Sequence, residues 1–226
     1  MNIDFETFIP KFNEICDRGL SAGIGDRNGQ MCIEAAVCAA LDLPHGDDPQ
    51  CVSASVRGFK IALNDAMWSS PQARAAGLRK LGIAQVGSKG VVGDADFSRR
   101  LSEKVIRKLI PAIFRDLFKD NPACLAAADR CEQDGSADAA DVAAYAAAYA
   151  ADVAACAACA AADASDAADA ARAATRAATR AAYAACAARA AYATDAAAYA
   201  DRYLVMVADL ALEVLIELGS PGCEYL

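Results

Sequence analysis

Histidine and tryptophan each occur once in these 226 residues, so any imidazole chemistry has His45 alone to draw on. Strand alternation is missing. Val86 to Val92 is the only short candidate, and glycines break it. From Ala137 to Leu218 there is no glycine or proline, so nothing in that stretch interrupts a helix. The opening residues, Met1-Asn2-Ile3-Asp4-Phe5-Glu6, lack the charged and then apolar regions of a secretory leader. That points to a reducing cytoplasm, where the ten cysteines act as small apolar residues rather than disulfide partners. Once the Asp and Arg of the second half are counted, no apolar run crosses a bilayer, and no membrane partner is expected. An excess of cations is also absent. The formal net charge of −8 excludes a nonspecific nucleic-acid binder, which must release counterions, and favours solubility and cationic partners.

What is present divides into two regimes. Residues 1–134 carry 17 Lys+Arg against 18 Asp+Glu, and the remaining 92 residues hold 5 against 12, so the acidity lies in the second half. From Gly135 to Ala200, 39 of 66 residues are alanine, and the 56% hydrophobic content therefore overstates what can build a core, because alanine buries little area. Core-forming side chains come from Phe5, Phe8, Phe12, Ile15, Leu41, Phe59, Ile61, Trp68, Leu78, Leu81, Leu101, Leu109, Phe114 and Leu117, with a second apolar run from Leu204 to Leu218.

The fold class these patterns predict is all-α. Phe5, Phe8, Phe12 and Ile15 recur every three or four residues until Gly19, giving an amphipathic first helix. A loop follows over Gly19 to Gly29, then helices over Gln30 to Leu43 and Ser53 to Ala66. Ser70-Pro71 starts a fourth helix that reaches about Val86. Asp96 to Lys119 places Leu101, Val105, Leu109, Ile113 and Leu117 at four-residue steps, a fifth helix bent where Pro111 removes a donor. Asn121-Pro122 opens a sixth, ending before Gly135.

In the alanine-rich tract the larger and polar residues, Asp138 and Asp141 through Tyr145 and on to Tyr199 and Arg202, fall at steps of three or four. They form one stripe on a helix that is otherwise bare alanine. A lone helix cannot bury that face. Its Asp-rich part, 138–169, meets its Arg-rich part, 172–202, at Asp163-Ala164-Ser165-Asp166, and a bend there makes an antiparallel hairpin. Association with a second copy, a homo-oligomer through the arm, or a stacked solenoid would also cover it. The expected organisation is a helical head over 1–134, an alanine-rich arm over 135–203, and a C-terminal helix and tail over 204–226 packing on the head.

Three places carry candidate chemistry. Gly19 to Gly29 is a glycine-rich loop feeding a helix start, where backbone N–H groups of Gly23 and Gly25, with Arg27, could cradle a phosphate. Arg99, Arg100, Lys104, Arg107 and Lys108 form the one concentrated basic face, suited to an acidic protein or a small anionic ligand. Cys32 stands in the first turn of the second helix, where the dipole lowers a thiol pKa. Gln30-Met31-Cys32-Ile33-Glu34-Ala35-Ala36 loosely resembles the nucleophile segment of papain-like cysteine peptidases, although those place their histidine on a downstream strand, and His45 follows here after thirteen residues. Cys32, Cys38, His45 and Cys51 lack the tight spacing of zinc ligands. Cys156-Ala157-Ala158-Cys159 has redox spacing inside the tract with no strand before it, and reads as packing. No metal and no cofactor are expected.

Taken as whole segments, Gly25-Asp26-Arg27-Asn28-Gly29-Gln30-Met31-Cys32-Ile33-Glu34-Ala35-Ala36-Val37, Trp68-Ser69-Ser70, Arg74-Ala75-Ala76-Gly77-Leu78-Arg79, the Ala/Tyr/Asp-rich tract and Leu215-Ile216-Glu217-Leu218-Gly219-Ser220-Pro221-Gly222-Cys223 resemble alanine-rich proteins encoded by bacteriophages and prophages. That family carries no assigned activity, and its alanine tract varies in length. The resemblance implies an accessory or counter-defence factor acting on a host protein in the bacterial cytoplasm. The leading expectation is accordingly a non-catalytic helical binding protein. The alternatives are a sequestering protein for a small phosphorylated ligand and a thiol enzyme using Cys32 and His45.

Overall fold

The computed structural model describes residues 3–150 and 196–226, which are mostly helical and contain no strand. The chain divides into two compact units, Met1–Phe97 with Ala211–Leu226, and Ser98–Leu210. This division does not follow the change in composition at Gly135. It falls inside two helices, Asp94–Lys104 and Ala196–Glu217.

In the first unit, helix α1 (Phe5–Asp17) begins where the Asp4 carboxylate accepts the Glu6 and Thr7 N–H groups at 3.1 and 3.3 Å. Such a cap satisfies donors that the first turn leaves free. Its Phe5, Phe8, Phe12 and Ile15 stripe is buried as the spacing predicts. Helix α2 (Ile33–Ala40) is shorter than the Gln30 to Leu43 expected, because Met31 is drawn into a bridge with Gly25 and Asp42 takes a left-handed φ of 58°. Helices α3 (Ala54–Asn64) and α4 (Pro71–Ala84) follow, the latter capped by Ser70, whose hydroxyl accepts from Ala73 N at 3.0 Å.

Helix α1 packs on α2 and α4, and α2 also on α3. Gly82 makes the α4 contact close, since a Cβ there would run into the Phe12 ring. Buried Arg74 donates to the carbonyls of Asn64 and Leu20, both at 2.8 Å, and so holds the loop after α1 to the end of α3. A 3-10 turn, Pro221–Tyr225, seals the far end of α4. There the Ser220 hydroxyl donates to Ala84 O, Gly222 N to Val86 O at 3.0 Å, and the Tyr225 ring stacks on Phe5 at 4.0 Å.

The expected fifth helix is three pieces, α5 (Asp94–Lys104), a π-helical turn (Val105–Leu109) and α6 (Ile110–Leu117). Pro111 explains the break. It has no N–H for the carbonyl four residues back, and its ring crowds that carbonyl, so the helix widens just before it. Helix α7 (Pro122–Asp134) is capped by Asn121 and closed by Gly135 at φ 67°. Helix α8 (Ala137–Ala150) packs on α7, and in its first part the buried side chains are small, Ala139, Ala140 and Ala143, as are the buried Cys124, Ala127, Ala128 and Cys131 of α7. The last helix, α9 (Ala196–Glu217), is tied to α6 by Arg202 and Tyr203, which both donate to Asp116 Oδ2, at 2.9 and 2.8 Å.

The hairpin bend at Asp163–Asp166 and the Cys156/Cys159 spacing lie outside the described residues. No helix among the described residues is long and apolar enough to cross a membrane.

Candidate functional site

The glycine-rich loop is a small hairpin held by several of its own backbone hydrogen bonds. Gly25 bridges Met31, Ser21 N donates to Met31 O at 3.0 Å, Asp26 N to Gln30 O at 2.9 Å, and Cys32 N to Ile24 O at 3.1 Å. At its tip Asn28 N donates to the Asp26 carboxylate and Gly29 N to Asp26 O. Gly25 sits at φ 72°, and a Cβ there would collide with Gln30 O, so only glycine closes this turn. The Gly23 N–H, the best candidate for an anion, donates at 2.8 Å to Asp65 Oδ1, and Ile33 N at the start of α2 donates at 3.1 Å to Asn64 Oδ1. A carboxylate and an amide of the same chain thus occupy donors that a phosphate would need. Arg27 is exposed at the hairpin tip.

Behind the hairpin lies a group of residues that sequence reasoning did not single out. Glu34 on α2 and Lys60 on α3 are both 0% exposed, with Nζ and Oε1 3.3 Å apart, and Gln85 Nε2 donates to Glu34 Oε2 at 3.1 Å. Burial pushes the Glu34 carboxyl up and the Lys60 ammonium down, each shift opposed by the attraction of the other charge. Glu34 Oε1, Lys60 Nζ and Gln85 Oε1 have no well-aligned hydrogen-bond partner. The pair is held by proximity away from the surface, where removing one member leaves an uncompensated charge.

Between the hairpin and this pair is a cleft of about 80 Å³ lined by Gly23, Ile24, Cys32, Ile33, Glu34, Asp47, Ile61, Asn64 and Asp65. Ligand pockets for drug-sized molecules run to roughly 300–1,000 Å³, so this one is too small for a nucleotide. Three carboxylates and no cation stand in its lining, which repels phosphate as well.

Cys32 is the N-cap of α2, and its Sγ accepts the Ala35 N–H at 3.3 Å. Burial pushes its thiol up, outweighing the N–H groups of Ala35 and Glu34 that pull the other way. The expectation of a lowered pKa is therefore corrected, since desolvation of a thiolate exceeds what a short helix end returns. The His45 ring lies with Nε2 3.3 Å from Gly25 O. Among the described residues no hydrogen bond joins it to Cys32. Cys16 is pushed up to about 11 and Cys38 to about 12, again by burial. Among the described residues no three His, Cys, Asp or Glu side chains converge as metal ligands.

On the basic face, Arg99 and Lys108 are exposed and Arg100 and Lys104 half-buried. Arg107 is committed to the fold. Its guanidinium donates to the carbonyls of Glu132, Gln133 and Asp134 at 2.7–2.9 Å and to Glu103 at 3.0 Å. It closes the C-terminus of α7, where orphan carbonyls attract a cation. A Cβ on Gly135 would strike it.

Comparison with family models, curated proteins and solved structures gives no match. Signals for the missed pair exist in the sequence. Lys60 takes the core position of the Val56, Phe59, Lys60, Leu63 pattern, and Glu34 stands inside the apolar run Met31 to Ala40.

Proposed function

We propose that this chain is a non-catalytic helical binding protein, an accessory or counter-defence factor that engages a host protein in the bacterial cytoplasm. The observation that carries the choice is that the donors best placed for an anion are already used: Gly23 N serves Asp65, Asn28 N serves Asp26, Ile33 N at the start of α2 serves Asn64, and the neighbouring thiol serves Ala35 N. That argues against a phosphate cradle and against a nucleophile at the place where both alternatives need one. What the hairpin offers outward is contact surface. Ile24 is 44% exposed, and Met67, two residues beyond the Asp65 that grips Gly23, is 66% exposed. Apolar side chains displayed beside a cleft suit a protein partner. The cytoplasmic and phage setting rests on the segment resemblance.

Native mass spectrometry of the full chain recovered from infected cells tests the proposal. A macromolecular partner retained by both wild type and Cys32→Ala is the expected result. A retained nucleotide-sized mass, or loss of biological activity in a folded Cys32→Ala chain, would defeat it. In the same assay, Arg99→Glu, Arg100→Glu and Lys104→Glu together measure whether the basic face contributes. Weakened recovery of the partner from a chain that still melts cooperatively is expected.

A further inference from the structure

We infer that the cleft between the hairpin and the end of α3 receives a lysine or arginine side chain of the protein partner. The inference rests on the protein-binding reading above and names the chemistry of its contact. The cleft holds about 80 Å³, which admits one side chain but not a small-molecule cofactor. Ile24 and Ile61 supply apolar walls, and Asp47 and Asp65 stand in the lining with them. An extended methylene stem against the isoleucines with a charged head at the carboxylates is how long cationic side chains satisfy both of their parts.

The two carboxylates have capacity to spare. Both donors that Asp65 receives from this chain, Gly23 N and Asn64 Nδ2, fall on Oδ1, at 2.8 and 3.0 Å, which leaves Oδ2 open. Asp47 is half-buried and accepts no hydrogen bond from the described residues. At the inner end, buried Glu34 is offset by Lys60 3.3 Å away. The cleft thus carries the charge of Asp47 and Asp65, with no cation in its lining. A partly enclosed place with two underused carboxylates and apolar sides selects a cation with a stem over a bare ion or an anion.

The test is an amide-resonance titration of the full chain with three probes: N-acetyl-lysine methylamide, its uncharged analogue N-acetyl-norleucine methylamide, and inorganic phosphate. Saturable shifts at Gly23, Ile33 and Asp65 with the lysine probe alone are expected. Asp47→Asn, which keeps the size of the side chain, should weaken them about fivefold, the upper range for one partly exposed ion pair. Equal response to norleucine, response to phosphate instead, or no response at all overturns the inference. The native-mass experiment separates it from the broader reading. A partner complex that forms as well on Asp47→Asn as on wild type overturns the lysine or arginine contact while leaving protein binding standing. If no complex forms on either chain, protein binding itself fails.

Discussion

A lysine and a glutamate with no exposure at all are an expensive choice for a small helical core, and Lys60 and Glu34 dictate what substitution there will do. Lys60→Met should destabilise the chain by about 3–5 kcal/mol in urea melts, because Glu34 then sits buried without a counter-charge, while Glu34→Leu with Lys60→Met should recover most of the loss. The pH dependence has a definite sign. Burial already raises the Glu34 carboxyl above its ordinary 4.5 despite Lys60, and without Lys60 it rises further. A raised carboxyl contributes stability that is complete below the unfolded value and lost as pH climbs through the folded one. The gap between wild type and Lys60→Met should accordingly be smaller at pH 4 than at pH 8, and a gap independent of pH would show that Glu34 stays ionised throughout. The thiols make a simpler case. With Cys16 pushed to about 11 and Cys38 to about 12, native alkylation by iodoacetamide at pH 8 should be slow at both, and fast labelling of either would show that the core opens locally.

Helices announce themselves in this sequence, and so do those of their ends that local capping chemistry sets. The stripe of α1, the Ser70-Pro71 start of α4 and the Asn121-Pro122 start of α7 were legible because periodicity and capping chemistry are local. The late start of α2 was not, because it depends on Met31 pairing with Gly25, a contact that helical propensity does not encode. Pro111 was legible as a disturbance but not as a π-helical turn, since the same missing N–H can be absorbed by a kink or by one wider turn. Arg107 shows what counting charges leaves out. Counted among surface cations, it is bound by three carbonyls at the end of α7, with Gly135 making room for it. Arg107→Met should cost about 1–3 kcal/mol for those charge-assisted bonds, and Gly135→Ala should also destabilise, through both its φ and the clash. Along α8 the alanines themselves are the interface, so Ala140→Leu should lower thermal stability by about 1–3 kcal/mol as overpacking, whereas Asp138→Ala, in the first turn, should cost only a few tenths. If the two variants melt alike, α7 and α8 are not packed through their methyl groups.

For the molecule as a whole, fold class is readable because strand patterning is absent from the sequence and alanine favours a helix. Composition divides the chain at Gly135, whereas packing puts residues 211–226 with residues 1–97, and no periodicity reveals which early helix a late segment will meet. The candidate site shows the same limit. Its glycines and Cys32 stood out by type, yet Asp47, Asp65 and the buried pair acquire meaning only once the hairpin and the end of α3 face each other. The turn over Pro221–Tyr225 carries a consequence for how the protein is made. Gly222 fits only because it has no side chain, a Cβ there meeting Ile83 O, and it gives Val86 O its donor while Ser220 supplies Ala84 O. Translation delivers Ser220 and Gly222 long after α4, so a ribosome adding roughly 5–20 residues per second leaves the end of α4 uncovered for several seconds or more while everything between is synthesised. Arrested nascent chains halted before Ser220 should therefore be cut by protease within residues 1–97 faster than released full-length protein.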